Sequence, residues 1–337
     1  MLHRLQIERI IEENPGTRSF VLSGDQLSYT PGQFLTFVFK KSNGKEDRRS
    51  YSLSSTPVLH EPLQVTIKRV ANGEYSRWFI DTAEEGDVLY TTGASGFFVL
   101  PENLDAYNSI VFFAAGSGIT PIFSMIKTAL AVHDAIRIHL VYSNTSRAST
   151  IFYDNLQSLQ ASYPERLVID YLYSSFDLRQ RKRLNVGVVQ EMAALYRNNT
   201  LFYVCGPLEY MRTITIVLRT EGVPEQNIRK EIFHIEKPVI KELPPDALPH
   251  RVHVTLDGRE YAFETQYPAT ILQTAKSSGI PLPYSCEAGQ CGTCAATCVS
   301  GKIWMWHNDV LLQEEIAKGR VLTCTGYPVG GDVVLKY

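Results

Sequence analysis

The sequence predicts a multidomain chain with an antiparallel β-barrel first, a doubly wound α/β domain second and a small cysteine-bearing domain last. Three observations support this: a β-rich first hundred residues, alternating strand and helix patterns after them, and one proline-rich stretch. The 337 residues suffice for two or three domains of about 100–200 residues each. Since hydrophobic residues make up 44% of the chain, each domain can bury a core.

The first domain, which we place at residues 1–101, is predicted from short runs of strand-forming residues. Each run is bounded by glycine, proline, serine or asparagine, which favour turns. The runs cover residues 33–39, 49–54, 63–69 and 88–92. Strands of this length and spacing are typical of a small antiparallel barrel.

The second domain, residues 102–236, is predicted from a change of pattern. The continuous apolar run Ile110–Ala115 suits a strand buried on both faces of a parallel sheet. A glycine turn and a helical pattern over Pro121–Val132 follow. Strand and helix patterns then alternate as far as Leu208–Glu221, which predicts a doubly wound α/β domain.

A proline-rich stretch, residues 237–249, separates the third domain from the rest of the chain. Four of its 13 residues, KPVIKELPPDALP, are proline. Such a composition favours an extended, semi-rigid spacer. Residues 250–337 are therefore expected to form a domain of their own.

Charge and hydropathy exclude several classes of protein. The chain has 33 Lys and Arg against 35 Asp and Glu, a net charge of −2, which argues against a polybasic binder of nucleic acid or anionic membrane. No apolar run approaches the roughly 18–20 residues of a membrane span. The first residues lack the apolar core of a secretory signal. We expect a soluble, cytoplasmic protein without membrane insertion, present as a monomer.

Four cysteines of the third domain have the spacing of an iron–sulfur site. Cys286, Cys291 and Cys294 form a C-x4-C-x2-C loop, and Cys324 follows after 29 residues. This is the plant-type spacing for a 2Fe–2S cluster. A zinc site is the alternative, but four-cysteine zinc sites usually use two C-x2-C pairs and only one is present. Cys298 is surplus, and we expect it to be a small buried residue.

Four further motifs lie in the first two domains. Arg49-Ser-Tyr-Ser52 is in a predicted strand, and Gly73-Glu-Tyr-Ser76 opens a predicted helix whose N-terminus can hold a pyrophosphate. Ala115–Pro121, AGSGITP, joins a strand to a helix in the same way. Cys205-Gly-Pro207 follows a strand, at the carboxyl edge of the sheet where ligands bind in such folds.

Together the motifs resemble the ferredoxin–NADP reductase superfamily. The R-x-Y-S string at residues 49–52 is similar to its flavin signature, and G-x-G-I-T-P at residues 116–121 to its pyridine-nucleotide loop. The C-E-A-G-x-C-G-x-C string at residues 286–294, with His307-Asn308 downstream, resembles β-grasp ferredoxin domains of the plant type that are fused to oxygenase reductases. The resemblance covers the whole chain and extends to three-domain reductases of the phenylacetate-degradation type.

This resemblance implies that the first domain binds FAD. Tyr51 would stack on the flavin ring, Ser52 would contact the ring near N5, and Arg49 would bind phosphate. Gly73 and Ser76 would hold the pyrophosphate that FAD has and FMN lacks, so FAD is favoured over FMN. An ordinary strand is the alternative interpretation when the first motif is taken alone.

The resemblance also implies a nicotinamide nucleotide on the second domain. Cys205 would lie beside the nicotinamide carbon that passes the hydride, without acting as a nucleophile; a buried strand cysteine is the alternative. Phe233 would cover the flavin face, with ordinary strand packing as its alternative. The two nucleotide motifs supply the remaining residues: Gly116, Gly118, Thr120, Pro121, Gly206 and Pro207.

The preference between NADPH and NADH is predicted from the turn after the second α/β strand. Residues 143–147 contain no Asp or Glu to bind a ribose 2′-hydroxyl, whereas Arg147 can bind a 2′-phosphate. The sequence therefore leans to NADPH, with NADH as the alternative. A solvated loop is the better interpretation of a second basic group, which consists of Arg179, Arg181, Lys182 and Arg183.

The predicted function is that of an NAD(P)H oxidoreductase of the ferredoxin reductase type. Electrons would pass from NAD(P)H through FAD and a 2Fe–2S cluster to an external acceptor, and the resemblance points to an oxygenase component. Three alternatives stay open at this point: a reductase of a hybrid-cluster protein or a desaturase, a non-catalytic cluster-based redox sensor, and a zinc-stabilised binding module.

Overall fold

The structure is a computed structural model, and it describes residues 2–41, 43–175, 182–233 and 242–337. The chain divides into two compact units, 1–233 and 234–337. The first unit contains an antiparallel sheet and a parallel sheet, and the second contains a mixed sheet. Within the described ranges, no helix is both long and apolar enough to cross a membrane.

The antiparallel sheet of the first unit is a six-stranded barrel. Its strands are β1 (His3–Asn14), β2 (Thr17–Gly24), β3 (Phe34–Lys40), β4 (Glu46–Ser52), β5 (Leu63–Lys68) and β6 (Val88–Ser95). They are ordered β4-β3-β6-β1-β2-β5, and a bridge between Leu53 and Val65 brings the end of β4 to β5. Helix α1 (Glu74–Asp81) inserts Phe79 among the inward-facing rings of Phe20 and Phe37. The predicted barrel is confirmed, and β1 and β2 are additions to the predicted runs.

The parallel sheet confirms the predicted doubly wound α/β domain. Its strands are β7 (Ser109–Ala115), β8 (Arg137–Asn144), β9 (Leu167–Tyr173), β10 (Thr200–Cys205) and β11 (Ile228–Glu231). Their order is β11-β10-β7-β8-β9, so the chain order reverses at β7. Its helices are α2 (Ile119–Val132), α3 (Tyr153–Ser162), α4 (Val186–Leu195) and α5 (Leu208–Thr220). Ligands bind at such reversals, outside the carboxyl ends of the strands, which is where β7 and β10 carry the two nucleotide motifs.

A buried seam joins the barrel to the parallel-sheet domain. The Thr56 and Thr128 hydroxyls lie 2.7 Å apart, and the N–H of Gly32 donates to the Ser124 hydroxyl at 3.0 Å. Lys127 forms an ion pair with Glu61 across the same seam. Because α2 contributes one residue to each of these three contacts, they fix this helix, which begins at the nucleotide loop, against the barrel.

The second unit has a mixed five-stranded sheet and a short two-stranded ribbon. The sheet contains β12 (His250–Leu256), β13 (Arg259–Thr265), β14 (Ala295–Ser300), β16 (Arg320–Leu322) and β18 (Val333–Lys336), and the ribbon contains β15 (Ile303–Met305) and β17 (Gly326–Pro328). Helix α6 (Ile271–Ser277), which starts with a capping box at Thr270 and Gln273, buries its apolar face, and α7 (Gln313–Ala317) precedes β16. The sheet order β13-β12-β18-β14-β16, with β12 and β18 parallel, is that of a β-grasp domain.

The described part of the predicted spacer, residues 242–249, belongs to the second unit and contacts the rest of it. Asp246 accepts hydrogen bonds from the N–H of Gly330 at 2.8 Å and from the His250 ring at 2.6 Å. Hydrogen bonds from the backbone of Leu248 and Gly330 and from His250 lower the pKa of Asp246 to about 2. This end of the proline-rich stretch is therefore anchored to the domain that follows it, while residues 237–241 lie outside the described ranges.

Candidate functional site

The second unit gathers four cysteines around one loop. Cys286, Cys291 and Cys294 lie between α6 and β14, on a segment that we call the cluster loop (residues 286–294), and Cys324 lies between β16 and β17. All four are free thiols, and three of them are almost fully buried. Among the described residues, no group of three or more His, Cys, Asp or Glu side chains is arranged for a single metal ion.

The four thiols contact one another in pairs. Cys286 interacts with Cys291 and Cys324, and Cys324 also interacts with Cys294. Hydrogen bonds from the neighbouring thiols hold the pKa of Cys286 well below its ordinary value, and the same contacts raise the pKa of Cys324. A 2Fe–2S cluster takes two thiolates on each of two irons. The paired thiols fit that donor set.

Two glycines let the cluster loop fold tightly against the next segment. Gly289 and Gly292 have φ of 73° and 75°, in the left-handed region that favours glycine. A Cβ on Gly289 would lie only 2.7 Å from the carbonyl oxygen of His307. The N–H of Asp309 donates to the Gly289 carbonyl at 3.0 Å, and the Asp309 carboxylate lies 2.9 Å from the His307 ring. The loop is thus held by backbone contacts that side chains at these positions would prevent.

The fifth cysteine of this domain, Cys298, has other neighbours. It lies in β14, and its thiol donates to the carbonyl of Ser300 at 3.3 Å. The expectation of a buried residue is wrong, since Cys298 is partly exposed. The reason is local, because a register irregularity between Cys298 and Ser300 interrupts the pairing of β14 with β18.

The flavin signature lies on β4 of the barrel. Tyr51 pairs in register with Leu35 of β3 and meets the Phe79 ring edge-on at 5.3 Å between centroids. Burial raises the pKa of Tyr51, so its hydroxyl stays protonated. The side chain of Arg49 is 50% exposed, and its guanidinium lies 5.0 Å from the centre of the Tyr75 ring. An aromatic ring and an exposed cation therefore lie two residues apart on one strand, which suits a flavin ring and its phosphate.

The turn before α1 explains why glycine and serine occur together there. Gly73 is the N-cap of α1, and a Cβ on it would lie 2.4 Å from the Ser76 hydroxyl oxygen. That hydroxyl accepts from the N–H of Val70 at 3.2 Å and donates to the Gly73 carbonyl at 3.3 Å. Ser76 thus holds the turn in shape, and the first N–H groups of α1 are left to receive an anion.

The two nucleotide motifs meet at the carboxyl edge of the parallel sheet. A Cβ on Gly118 would lie 2.2 Å from the carbonyl oxygen of Cys205, and one on Gly206 would lie 2.9 Å from the Cβ of Ala115. Gly116 has a φ of 54°, which the turn into α2 requires. Only glycine permits this approach, so the structure brings together two motifs that are about 85 residues apart in sequence.

The buried residues around these glycines hold the motifs in shape. Thr120 donates from its hydroxyl to the Ser117 carbonyl at 2.9 Å, and Pro121 is buried in the first turn of α2. Pro207 is the N-cap of α5, and the Tyr210 hydroxyl, one turn on, donates to the Ala114 carbonyl at 3.0 Å. Both helix N-termini therefore open at the same edge of the sheet.

Ser52, Cys205 and Glu231 lie where the barrel meets that edge, and we call them the flavin–nicotinamide junction. Cys205 and Glu231 pair in register on β10 and β11, and the Ser52 hydroxyl donates to the Glu231 carboxylate at 3.2 Å. Burial raises the pKa of Cys205, and ionisation of the neighbouring Glu231 would raise it further, so Cys205 remains a thiol. Burial also raises the pKa of Glu231 to about 8. The predicted flavin strand and the predicted nicotinamide cysteine thus share one carboxyl neighbour.

Glu231 is the residue that the sequence analysis missed. It stands two residues before Phe233, outside every motif described above. An acidic residue at the end of a strand in a doubly wound sheet was the available signal, because that edge is where ligands bind. Phe233 itself is 43% exposed, which leaves its ring accessible.

The predicted specificity residue Arg147 lies in a turn beyond β8. Its guanidinium stacks 4.4 Å from the centre of the Tyr153 ring, and the preceding Ser146 caps the turn through Ser149. The stacking orients an exposed cation at the nucleotide edge of the sheet. Of the second basic group, Arg179 and Arg181 lie outside the described ranges, and Lys182 and Arg183 precede α4.

Three family models match the chain in the order of its domains. "Oxidoreductase FAD-binding domain" matches residues 4–100, "Oxidoreductase NAD-binding domain" residues 112–215 and "2Fe-2S iron-sulfur cluster binding domain" residues 254–329.

Two curated relatives align over nearly the whole chain. The ferredoxin reductase component of 3-ketosteroid-9-alpha-monooxygenase from Rhodococcus rhodochrous is 33% identical, over 99% of this chain and 96% of that protein. A component of 1,2-phenylacetyl-CoA epoxidase from Escherichia coli is 30% identical, over 92% of this chain and 88% of that protein.

Solved structures share the fold. Phthalate dioxygenase reductase aligns over 100% of this chain and 98% of its own length, with a TM-score of 0.62 and 24% identity. An intact type IV self-sufficient cytochrome P450 monooxygenase aligns over 99% of this chain with a TM-score of 0.73 and 21% identity, and this chain spans only 41% of it. With the three matched domains and the two relatives, the chain belongs to the ferredoxin–NADP reductase superfamily, among the three-domain NAD(P)H oxidoreductases that combine FAD-binding, NAD-binding and plant-type 2Fe–2S domains.

Proposed function

We propose that this reductase takes electrons from NADPH and delivers them, through FAD and a 2Fe–2S cluster, to the oxygenase component of a two-part enzyme system. The observation that carries the proposal is the flavin–nicotinamide junction, where Ser52 and Cys205 share Glu231 as a neighbour. The relatives' names support an oxygenase as the acceptor, because one is the reductase component of a monooxygenase and the other belongs to an epoxidase.

The barrel residues would hold FAD. Bound FAD accepts a hydride and gives up electrons singly, and a 2Fe–2S cluster carries one electron at a time. Arg49 and the first N–H groups of α1 would hold the phosphates, with Gly73 and Ser76 shaping that turn. Tyr51 would present its ring to the flavin, and Ser52 would present its hydroxyl near N5.

The parallel-sheet residues would hold the nicotinamide nucleotide. Gly116, Gly118, Thr120 and Pro121 shape a helix N-terminus for its pyrophosphate, and Gly206 and Pro207 shape the opposing turn. Cys205, a buried neutral thiol, would pack beside the nicotinamide and limit the access of water. Phe233, with its exposed ring, would cover the flavin face until nicotinamide takes its place.

Glu231 would keep Ser52 in position at the junction. Because burial raises its pKa to about 8, the carboxyl is largely protonated at neutral pH and adds no charge beside the flavin. Ser52 remains hydrogen-bonded to it at 3.2 Å. The pair therefore fixes the orientation of the serine hydroxyl, and Glu231 acts as a positioning residue.

The second unit would hold the cluster through Cys286, Cys291, Cys294 and Cys324. The thiol contacts connect Cys286 with Cys291 and Cys324, and Cys324 with Cys294, so all four lie close enough together to share one two-iron cluster. Free thiols throughout the chain suit a reducing compartment. The proposal accordingly includes a location in the cytoplasm, together with the monomer that is expected from the sequence.

NADPH is proposed over NADH because of Arg147. Its exposed guanidinium, held against Tyr153, can pair with a 2′-phosphate, and residues 143–147 offer no carboxylate for a 2′-hydroxyl.

The purified protein tests the proposal directly. We expect FAD, two irons and acid-labile sulfide in each chain, NADPH-dependent reduction of cytochrome c, and NADPH-dependent turnover of an added oxygenase component. Zinc without iron would contradict the cluster, and cytochrome c reduction that never supports an oxygenase would contradict the proposed acceptor.

A further inference from the structure

Two threonines flank Cys324, and their hydroxyls have different surroundings. Thr323 and Thr325 are both fully buried, each with 0% exposure. The Thr323 hydroxyl donates to the Cys294 carbonyl at 3.0 Å and lies 2.9 Å from the Tyr337 hydroxyl. The Thr325 hydroxyl has no hydrogen-bond partner among the described residues.

The side chain of Thr325 lies against the cluster loop. Its Cγ2 methyl would be 3.1 Å from a Cβ on Gly289, which is between Cys286 and Cys291. Its backbone is fixed on both sides, because its N–H donates to the Leu322 carbonyl at 3.3 Å and its carbonyl accepts from the N–H of Trp306 at 3.2 Å. The side chain that bears the unpaired hydroxyl is therefore held against the cluster loop, next to the ligand candidate Cys324.

Burying an unpaired hydroxyl is unfavourable, and buried polar groups in proteins nearly always have a partner. The 2Fe–2S cluster proposed for the four cysteines would supply acceptors, because the sulfurs of such a cluster carry negative charge. We propose that the Thr325 hydroxyl donates a hydrogen bond to a sulfur of the 2Fe–2S cluster and thereby raises its reduction potential. This inference rests on the proposed function, since it requires a cluster on the four cysteines.

The direction of the effect follows from charge. Reduction adds one electron, and so one negative charge, to the cluster, and a hydrogen bond to a more negative acceptor is stronger. The donor therefore stabilises the reduced state more than the oxidised state, and hydrogen bonds to the sulfurs are one of the factors that set cluster potentials. A higher potential makes the cluster a better acceptor for electrons from the flavin.

The test compares three full-length variants by redox titration, with the cluster signal followed by electron paramagnetic resonance. Thr325→Val keeps the shape and removes the hydroxyl, and Thr325→Ser keeps the hydroxyl. For Thr325→Val we expect the equilibrium constant for cluster reduction to fall about tenfold, a potential about 59 mV lower for a one-electron couple. Thr325→Ser should stay near the wild-type value.

Thr323→Val is the matched control. It removes a buried hydroxyl next to the same cysteine, but one that is already bonded to Cys294 and Tyr337. We expect a lower midpoint of thermal unfolding for this variant, without the change of potential seen for Thr325→Val.

An unchanged potential in Thr325→Val, or an equal fall in Thr325→Ser, would overturn the proposal. If the valine variant does not retain the cluster, Thr325→Ala removes the same hydroxyl with less bulk and is judged by the same criterion. A wild-type protein without the cluster signal would overturn the proposed function as well, whereas a normal signal with an unshifted potential would overturn this inference alone.

Discussion

The cluster site takes three of its four cysteines from nine consecutive residues, 286–294, whereas the flavin–nicotinamide junction takes Ser52, Cys205 and Glu231 from three separate strands. The geometry of the first depends on local backbone conformation, chiefly the left-handed Gly289 and Gly292. That of the second depends on strand register and on glycines that permit close approach. Loss of a single ligand should therefore abolish cluster binding. At the junction, the rate of flavin reduction should instead fall gradually as the three residues move apart.

Replacing a ligand of the cluster loop should have the largest effect. We expect Cys291→Ser to abolish NADPH-dependent reduction of cytochrome c, because one iron loses a thiolate and the cluster is not retained. Reduction of ferricyanide should persist, since reduced flavin can perform it alone. Cys298→Ser is the control, because its thiol contacts the Ser300 carbonyl. Cytochrome c reduction that survives in Cys291→Ser would show that Cys291 is not a ligand.

A side chain at Gly118 should break the assembled site without touching the cluster. A Cβ there would lie 2.2 Å from the Cys205 carbonyl oxygen, so Gly118→Val must push the nucleotide loop away from β10. Displacement of about 1 Å can cost about 100-fold in rate, and we expect at least that loss in flavin reduction by NADPH in stopped flow. Flavin and iron contents should stay normal.

The matched control for that change is Gly187→Ala, in α4. Its added Cβ would lie 3.2 Å from the side-chain oxygen of Asn185, the N-cap of α4, and no residue of the nucleotide motifs is near it. Equal rates for Gly118→Val and Gly187→Ala would mean that the two nucleotide motifs need not touch.

Cys205→Ala, which keeps the backbone and removes only the thiol, should slow flavin reduction by about tenfold.

A smaller effect is expected at the edge of the nucleotide site. Arg147→Gln should lower kcat/KM for NADPH by about 10- to 100-fold, the size of one lost charge-assisted contact, and leave kcat/KM for NADH nearly unchanged. The exposed Arg212, paired with Glu209 on α5, provides the control Arg212→Gln. An equal fall in kcat/KM for NADPH and for NADH would indicate that Arg147 supports the fold and does not bind the 2′-phosphate.

The last expected effect concerns stability and not turnover, and it is a change in pH dependence at Glu231. Burial raises the pKa of Glu231 from its ordinary 4.5 to about 8, so between these values the folded state keeps a proton that the unfolded state releases. Stability therefore falls as pH rises through this window, by at most about 1.4 kcal/mol per pH unit. The glutamine in Glu231→Gln cannot ionise, so the stability of this variant relative to the wild type should increase from pH 5 to pH 8. The temperature at which flavin is released measures this stability. Parallel pH profiles would mean that Glu231 is ionised in the folded protein.

Much of the fold was predictable because its strands and helices carry clear patterns. The predicted strand Ile110–Ala115 and the predicted helices Pro121–Val132 and Leu208–Glu221 agree with β7, α2 and α5 within two residues at each end. β1 and β2 were not predicted, although Leu5 and Ile7 of β1 are buried. Register irregularities between Ile7 and Arg9 and between Glu12 and Asn14 interrupt the alternation that identifies a strand.

The cluster site could be predicted from the sequence more fully than the flavin–nicotinamide junction, again because its residues are close together in the chain. The cluster ligands were evident from spacing because they are adjacent in the sequence. The link between Ser52 and Glu231 was not evident, because it spans 179 residues and exists only once the barrel packs on the parallel sheet. Thr325 adds a third case, in which the sequence shows a threonine and only the fold shows that its hydroxyl is buried without a partner among the described residues.

The central claim, that one chain carries electrons from NADPH through FAD to its own cluster, is tested most directly by rapid anaerobic mixing of the purified protein with NADPH. Flavin absorbance and the paramagnetic signal of the reduced cluster are followed on the same time axis. The account predicts that flavin bleaching comes first, that the cluster signal follows, and that protein stripped of FAD gives no cluster signal. A cluster signal that appears at the wild-type rate without FAD, or that never appears while the flavin is fully reduced, would contradict it.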